Sequence, residues 1–178
     1  MEGSSGWKGA CTTFDAVDQA GQTTTGVPDW AGRGSVTVVG HSRMARGAAK
    51  YFSSRGAAVS IAGTSDNAAA SIAREVGVRH VSWSAVHDQR LDTLVIADFG
   101  MQSGQARGQL NPGLIRERMT VVDLSSGAGP STFADEARAR GAKYVDPISV
   151  LAAQINLQFK TLVGRDLPAD AFQKGLAE

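Results

Sequence analysis

From residue 35 onward the chain alternates short apolar runs with stretches of helical spacing. The runs at 35–39 (SVTVV), 57–62 (AAVSIA), 80–83 (HVSW), 94–97 (LVIA), 120–124 (TVVDL) and 143–146 (KYVD) each predict a strand. Between them, 44–54, 66–76, 131–140 and 148–163 carry the spacing of helices, with Gly56 and Gly141 as stops. Ser65 or Asp66 is expected to cap the second helix. The last helix is expected to bury one apolar face made of Leu151, Ile155, Phe159 and Leu162. Strands that are apolar without alternation imply burial on both faces. The pattern therefore predicts an α/β fold: a doubly wound, Rossmann-type, mostly parallel sheet with helices on both faces. Residues 1–34 differ, being rich in Gly, Thr, Ser and Gln, and "GQTTTGVPDWAGRG" reads as loop and linker. The expected organisation is a linker over 1–33, the sheet domain over 34–147 and C-terminal helices over 148–178.

Bulk properties narrow the function classes. The 178 residues suit one domain, and 42% hydrophobic content is enough for a sizeable core. A net charge of +1 gives no electrostatic footprint for nucleic acid or a membrane surface. Neither is expected as a partner, and Trp7, Trp30 and Trp83 show no stacking pattern. Cys11 is the single cysteine, which excludes a disulfide framework or a cysteine-based zinc site and fits a cytoplasmic location. His41, His80 and His87 are not grouped with carboxylates at ligand spacing. "DEARAR" reads as a solvated helix face with local ion pairs.

The candidate chemistry lies in "VVGHSRMARGAA", where the first strand turns into the first helix. Such a turn offers unpaired backbone N–H groups and the positive end of a helix dipole, a natural seat for pyrophosphate. Of the glycines in G-x-G-x-x-G only the first is present, as Gly40; Ser42 and Ala45 occupy the other two places. Gly40 suits the tight turn, Ser42 is small and can donate from its hydroxyl, and Ala45 permits close helix packing. His41, Arg43 and Met44 complete the loop, and Arg43 and Arg46 add positive charge. An ordinary strand-to-helix turn with exposed arginines fits these residues equally well. At the end of the second strand neither an acid nor a basic residue stands in the ribose-reading position. Thr64 and Ser65 are candidates to bond a 2′-phosphate with Arg43, while Asp66 reads as a cap. Asp98, at the end of the fourth strand, either faces a cofactor ribose or caps a turn.

Beyond the loop, the chain resembles the cofactor-binding half of shikimate dehydrogenase, most of all the form fused to 3-dehydroquinate dehydratase. The resemblance runs from about Gly6 to about Pro168. The family's G-x-G-G-A-A-R-A is matched by Gly40, Ala45 and Arg46, and its G-M by Gly100 and Met101. Its D-x-x-Y-x-P-x-x-T-x-L-x-x-x-A motif is matched in spacing by Asp123, Ser131 and Ala137. Its D-G-x-G-M-L-x-x-Q-x-x-x-x-F is matched by Asp146, Leu151, Gln154 and Phe159. The resemblance implies a dinucleotide cofactor, NADP with NAD as the other choice, held by residues 40–45, Thr64, Ser65, Gly100 and Met101. It implies Gln154 as a ligand of a ring-acid substrate such as 3-dehydroshikimate or shikimate. A substrate domain from an upstream segment or a separate chain is expected, and the resemblance leaves room for a homodimer.

Departures from the pattern fall on the chemistry. The arginine that reads the NADP 2′-phosphate in the family becomes Gly63, within Ala62-Gly63-Thr64. Ser126 and Ala128 stand for a tyrosine and a proline, and Pro147 and Ser149 for two glycines. Thr13 stands where the family has its catalytic aspartate, so no catalytic residue is assigned within this chain. Hydride transfer to a ketone needs a proton donor for the developing alkoxide. Thr13 can hydrogen-bond but supplies no carboxylate. Two readings follow: the cofactor domain of a shikimate-dehydrogenase-like oxidoreductase, or a degenerate, non-catalytic module with a structural or ligand-sensing role. A methylenetetrahydrofolate-dehydrogenase-like enzyme on the same scaffold is a third, which the Gln154 motif does not favour.

Overall fold

The computed structural model describes residues 11–98, 110–125, 131–168 and 170–177. Strands β1 (Ser35–Val39), β2 (Ala58–Ala62), β3 (Arg79–His80), β4 (Thr93–Ile96), β5 (Thr120–Asp123) and β6 (Lys143–Val145) form one sheet. Their order is β3-β2-β1-β4-β5-β6, and every pairing is parallel. This is the doubly wound order, in which the winding reverses between β1 and β4 and opens a crevice at their carboxyl ends. The helices are α1 (Thr13–Thr25), α2 (Arg43–Ser54), α3 (Asp66–Val76), α4 (Thr132–Arg140), α5 (Pro147–Val163) and α6 (Ala171–Ala177).

Both faces of the sheet are covered, which is why its strands read as continuous apolar runs. On one face Val36, Val38, Ile61 and Val95 pack against α1, α2, α3 and α5. On the other, Val39, Leu94, Ile96 and Val121 meet α4, through Phe133 and Ala137, and the segments around Val86 and Ile115. Buried Ala45, Ala48 and Ala49 let α2 approach β1 closely, while Phe52 fills the space behind them. Thr37 and Ser60 are buried on the sheet, and each satisfies the other at 2.8 Å. Among the described residues no helix is long and apolar enough to cross a membrane.

Three expectations are corrected here. Residues 13–25, expected as linker, form α1. Its Ala16, Val17 and Ala20 are buried, and Phe14 stacks on Tyr51 at 5.3 Å. Arg55 of the α2 terminus pairs with Asp18 at 3.2 Å. The apolar period was present in the sequence but diluted by Gly, Thr and Gln, whose weak helix propensity tertiary packing overrides. The third strand stops at His80, since Trp83 opens a 3-10 turn over Trp83–Asp88. Finally, α5 buries a different stripe from the one expected. Val150, Ala153 and Leu157 face the core, whereas Leu151 and Leu162 are 46% and 84% exposed. Two apolar stripes run along this helix, and periodicity cannot tell which one meets the sheet.

Candidate functional site

The crevice between β1 and β4 is built from the loop at 40–43, the end of β2 and Asp98. Gly40 turns the chain with φ 144°, a conformation that L side chains rarely adopt. Its N–H donates to the carbonyl of Ala62 at 2.8 Å, tying the loop to β2. Ser42 is extended and caps α2, its Oγ accepting from the Ala45 N–H at 3.3 Å. Accepting that bond leaves the hydroxyl proton free to donate elsewhere. Ala45 is fully buried, the close packing its size predicted. Arg43 is exposed at the first turn of α2. Arg46 instead faces α3 and pairs with Glu75 at 3.3 Å, so part of its charge is compensated. Met44 is half-buried against the core.

His41 joins three parts of the site. Its N–H donates to Asp98 Oδ2 at 2.7 Å, its Nδ1 lies 3.9 Å from the same oxygen, and its Nε2 is 3.4 Å from Thr64 Oγ1. The loop and the end of β2 are thereby brought together, with Thr64 and Ser65 exposed beside them. Ser65 occupies the cap position of α3 but makes no side-chain cap bond. Asp66, expected as that cap, begins the helix and instead accepts the Trp83 N–H at 2.9 Å, with His80 Nε2 3.5 Å away. Its carboxylate serves the β3 connection, which no local pattern reveals. Gly100, Met101, Ser126 and Ala128 lie outside the described residues.

Asp98 is the residue that sequence reasoning left between two roles. Its side chain is 14% exposed and rests on the loop: a Cβ added at Gly40 would stand 2.7 Å from its carboxyl carbon. The signal is an acid two residues past a central strand, but it becomes readable only once β4 is known to neighbour β1.

A second constellation joins the two ends of the chain. Gln154 of α5 donates from Nε2 to Thr13 Oγ1 at 3.3 Å, across 141 positions of sequence. Both side chains are half-buried where α1 lies along α5. α5 is set in place by Asp146, which caps it by accepting the Ser149 N–H at 2.8 Å, and by Pro147 at the first turn.

No family sequence model matches the chain, and no curated protein sequence does. Solved structures do. Shikimate dehydrogenase from Aquifex aeolicus superposes with a TM-score of 0.76 at 20% identity, over 94% of this chain and 61% of its own. This chain has the fold of the shikimate dehydrogenases. The Thermus thermophilus enzyme, solved in complex with NADP(H) and shikimate, gives 0.73 at 23% identity over 93% of this chain and 61% of its own. Quinate dehydrogenase from Corynebacterium glutamicum, in complex with NAD, gives 0.77 at 16% identity over 94% and 62%. The chain thus spans about three fifths of the length of the shikimate dehydrogenase structures it matches.

Proposed function

We propose that this chain is the dinucleotide-binding part of a shikimate-dehydrogenase-type oxidoreductase, with NADP, or NAD, laid across the Gly40 loop. The observation that carries this reading is the meeting of Thr13 and Gln154. The resemblance assigns them, from motifs at opposite ends of the chain, to one substrate site, and the fold brings them within hydrogen-bond distance. Solved structures of the same fold were obtained with NADP(H) and with NAD.

The residues fit such a cofactor in geometry. The turn at Gly40 leads into the N-terminus of α2, where backbone N–H groups and the helix dipole favour pyrophosphate. Arg43, Thr64 and Ser65 are exposed around the place of the adenosine ribose and supply the donors for a 2′-phosphate that Gly63 cannot. When bound, the nicotinamide supplies or accepts the hydride. On the substrate side, Gln154 presents an amide to a hydroxyl or carboxylate of a ring acid such as 3-dehydroshikimate or shikimate. Thr13 orients that amide and carries no carboxylate to manage a proton, so the proton donor belongs to a substrate domain contributed by a further segment or a separate chain. This division makes turnover a property of the assembled protein.

Calorimetric titration with NADP⁺ and NAD⁺ tests the reading. Saturable binding of one or both, weakened several-fold by Arg43→Ala, is expected. Lack of saturation at millimolar concentration, in the wild-type chain and in every loop variant, overturns it in favour of a non-catalytic module. That second reading draws on Thr13 and Gly63, the two positions where the expected charged groups are missing.

A further inference from the structure

The Gly40 loop already holds an anion of its own. Asp98 Oδ2 accepts the His41 N–H at 2.7 Å, beside the N-terminus of α2. The carboxyl group lies so close to Gly40 that any side chain there would collide with it. Its other oxygen, Oδ1, is buried and has no hydrogen-bond partner among the described residues. A buried carboxylate oxygen without a donor is costly, because the water it gave up is not replaced. From these contacts we infer that Asp98 is an internal competitor for the pyrophosphate seat and sets the loop's affinity for phosphorylated ligands. The inference rests on the dinucleotide reading above.

The physical argument is one of like charges in a confined space. Pyrophosphate binds such a loop by accepting backbone N–H groups at the helix N-terminus. Here the N–H of His41, which immediately precedes the α2 cap Ser42, is spent on Asp98, so a carboxylate already stands beside the loop that leads into the helix. An arriving pyrophosphate must displace Asp98 from His41 or bind within a few ångströms of its charge, where the interior screens it less than bulk water does. Either route weakens binding. One described hydrogen bond, with His41 Nδ1 3.9 Å from the same oxygen, holds the carboxylate to the loop, so displacing it breaks few described contacts. Asp98 is accordingly a specificity-determining residue. With the carboxylate present the loop binds diphosphates more weakly than it does with a neutral side chain of the same shape.

Asp98→Asn keeps the size and the acceptor for His41 while removing the charge, and Asp98→Ser removes the charge together with most of the reach. Both are titrated beside the wild-type chain with NADP⁺, NAD⁺, inorganic pyrophosphate and, as a phosphate-free probe, adenosine. Thermal melting confirms that each variant is folded. Asp98→Asn is expected to bind NAD(P)⁺ and pyrophosphate about tenfold more tightly or better, with adenosine unchanged, and Asp98→Ser is expected to follow the same direction. Saturable wild-type binding that neither variant tightens overturns the inference and leaves the dinucleotide reading standing. Tightening that extends equally to adenosine also overturns it, because the effect is then one of shape. Absence of saturation by all three proteins overturns the inference and the dinucleotide reading together.

Discussion

Two aspartates bracket β4, and each reaches across to an end of β1. Before the strand, Asp92 Oδ2 accepts the Ser35 N–H at 2.8 Å and lies 2.8 Å from its hydroxyl. After the strand, Asp98 Oδ2 accepts the His41 N–H at 2.7 Å. Both carboxylates press on a glycine of positive φ, Gly34 at 70° and Gly40 at 144°. The geometry is nearly the same; the chemistry is not. Asp92 serves both polar groups of Ser35, chiefly its backbone N–H and then its hydroxyl, and is held below the usual carboxylate range by them. Asp98 keeps one oxygen buried and unserved among the described residues. The first is a staple at the amino edge of the sheet. The second stands at the carboxyl edge, where doubly wound sheets receive their ligands. The same backbone device closes both edges of the sheet, and only the carboxyl edge is the one at which this fold class binds ligands.

Three measurements bear on that contrast, in falling order of effect. Gly40→Val forces a β-branched residue into φ 144° and drives its Cβ into Asp98. A loss of about 3 kcal/mol is expected in urea unfolding. Part of it should return when Asp98→Ala is added, because the collision then disappears. Full additivity of the two changes would mean the two side chains do not press on each other. Asp92→Asn is expected to cost about 1 kcal/mol at neutral pH, the worth of hydrogen bonds to a charge that solvent partly screens. Because folding lowers the pKa of Asp92, the stabilisation is present above the unfolded-chain value near about 4 and is lost as pH falls through the folded value. The gap between wild type and variant should therefore close on acidification, and a gap that widens would contradict the assignment. Smallest of all, Asp98→Asn should alter stability by no more than about 0.5 kcal/mol while changing ligand affinity. A loss comparable with that of Asp92→Asn would make the two aspartates equivalent staples.

How much of this was legible beforehand follows the range of each interaction. The turn at 40–45 reads from local sequence, because a tight turn, a cap and a close helix contact are set by neighbours within four positions. Helix α3 likewise begins and ends where its spacing says, closing at Gly77 with φ 76°. The partner of Asp66 was not legible, since Trp83 lies 17 residues away, beyond α3 and β3. Nor was Arg140, which pairs with Glu136 as expected but also donates to the Ile115 carbonyl at 2.8 Å, pinning α4 to the segment that precedes β5.

By itself, then, the sequence determined the alternation of strands and helices, the parallel class of the sheet and the loop at Gly40, because periodicity, β-branching and turn chemistry act locally. Tertiary structure alone decided that 13–25 is a helix, which stripe of α5 is buried, that Thr13 meets Gln154, and that Asp98 sits on the Gly40 loop. Each of these depends on strand order and on which surfaces lie against each other. Those are settled by the mutual burial of segments far apart in the chain, and no window of neighbouring residues contains that information.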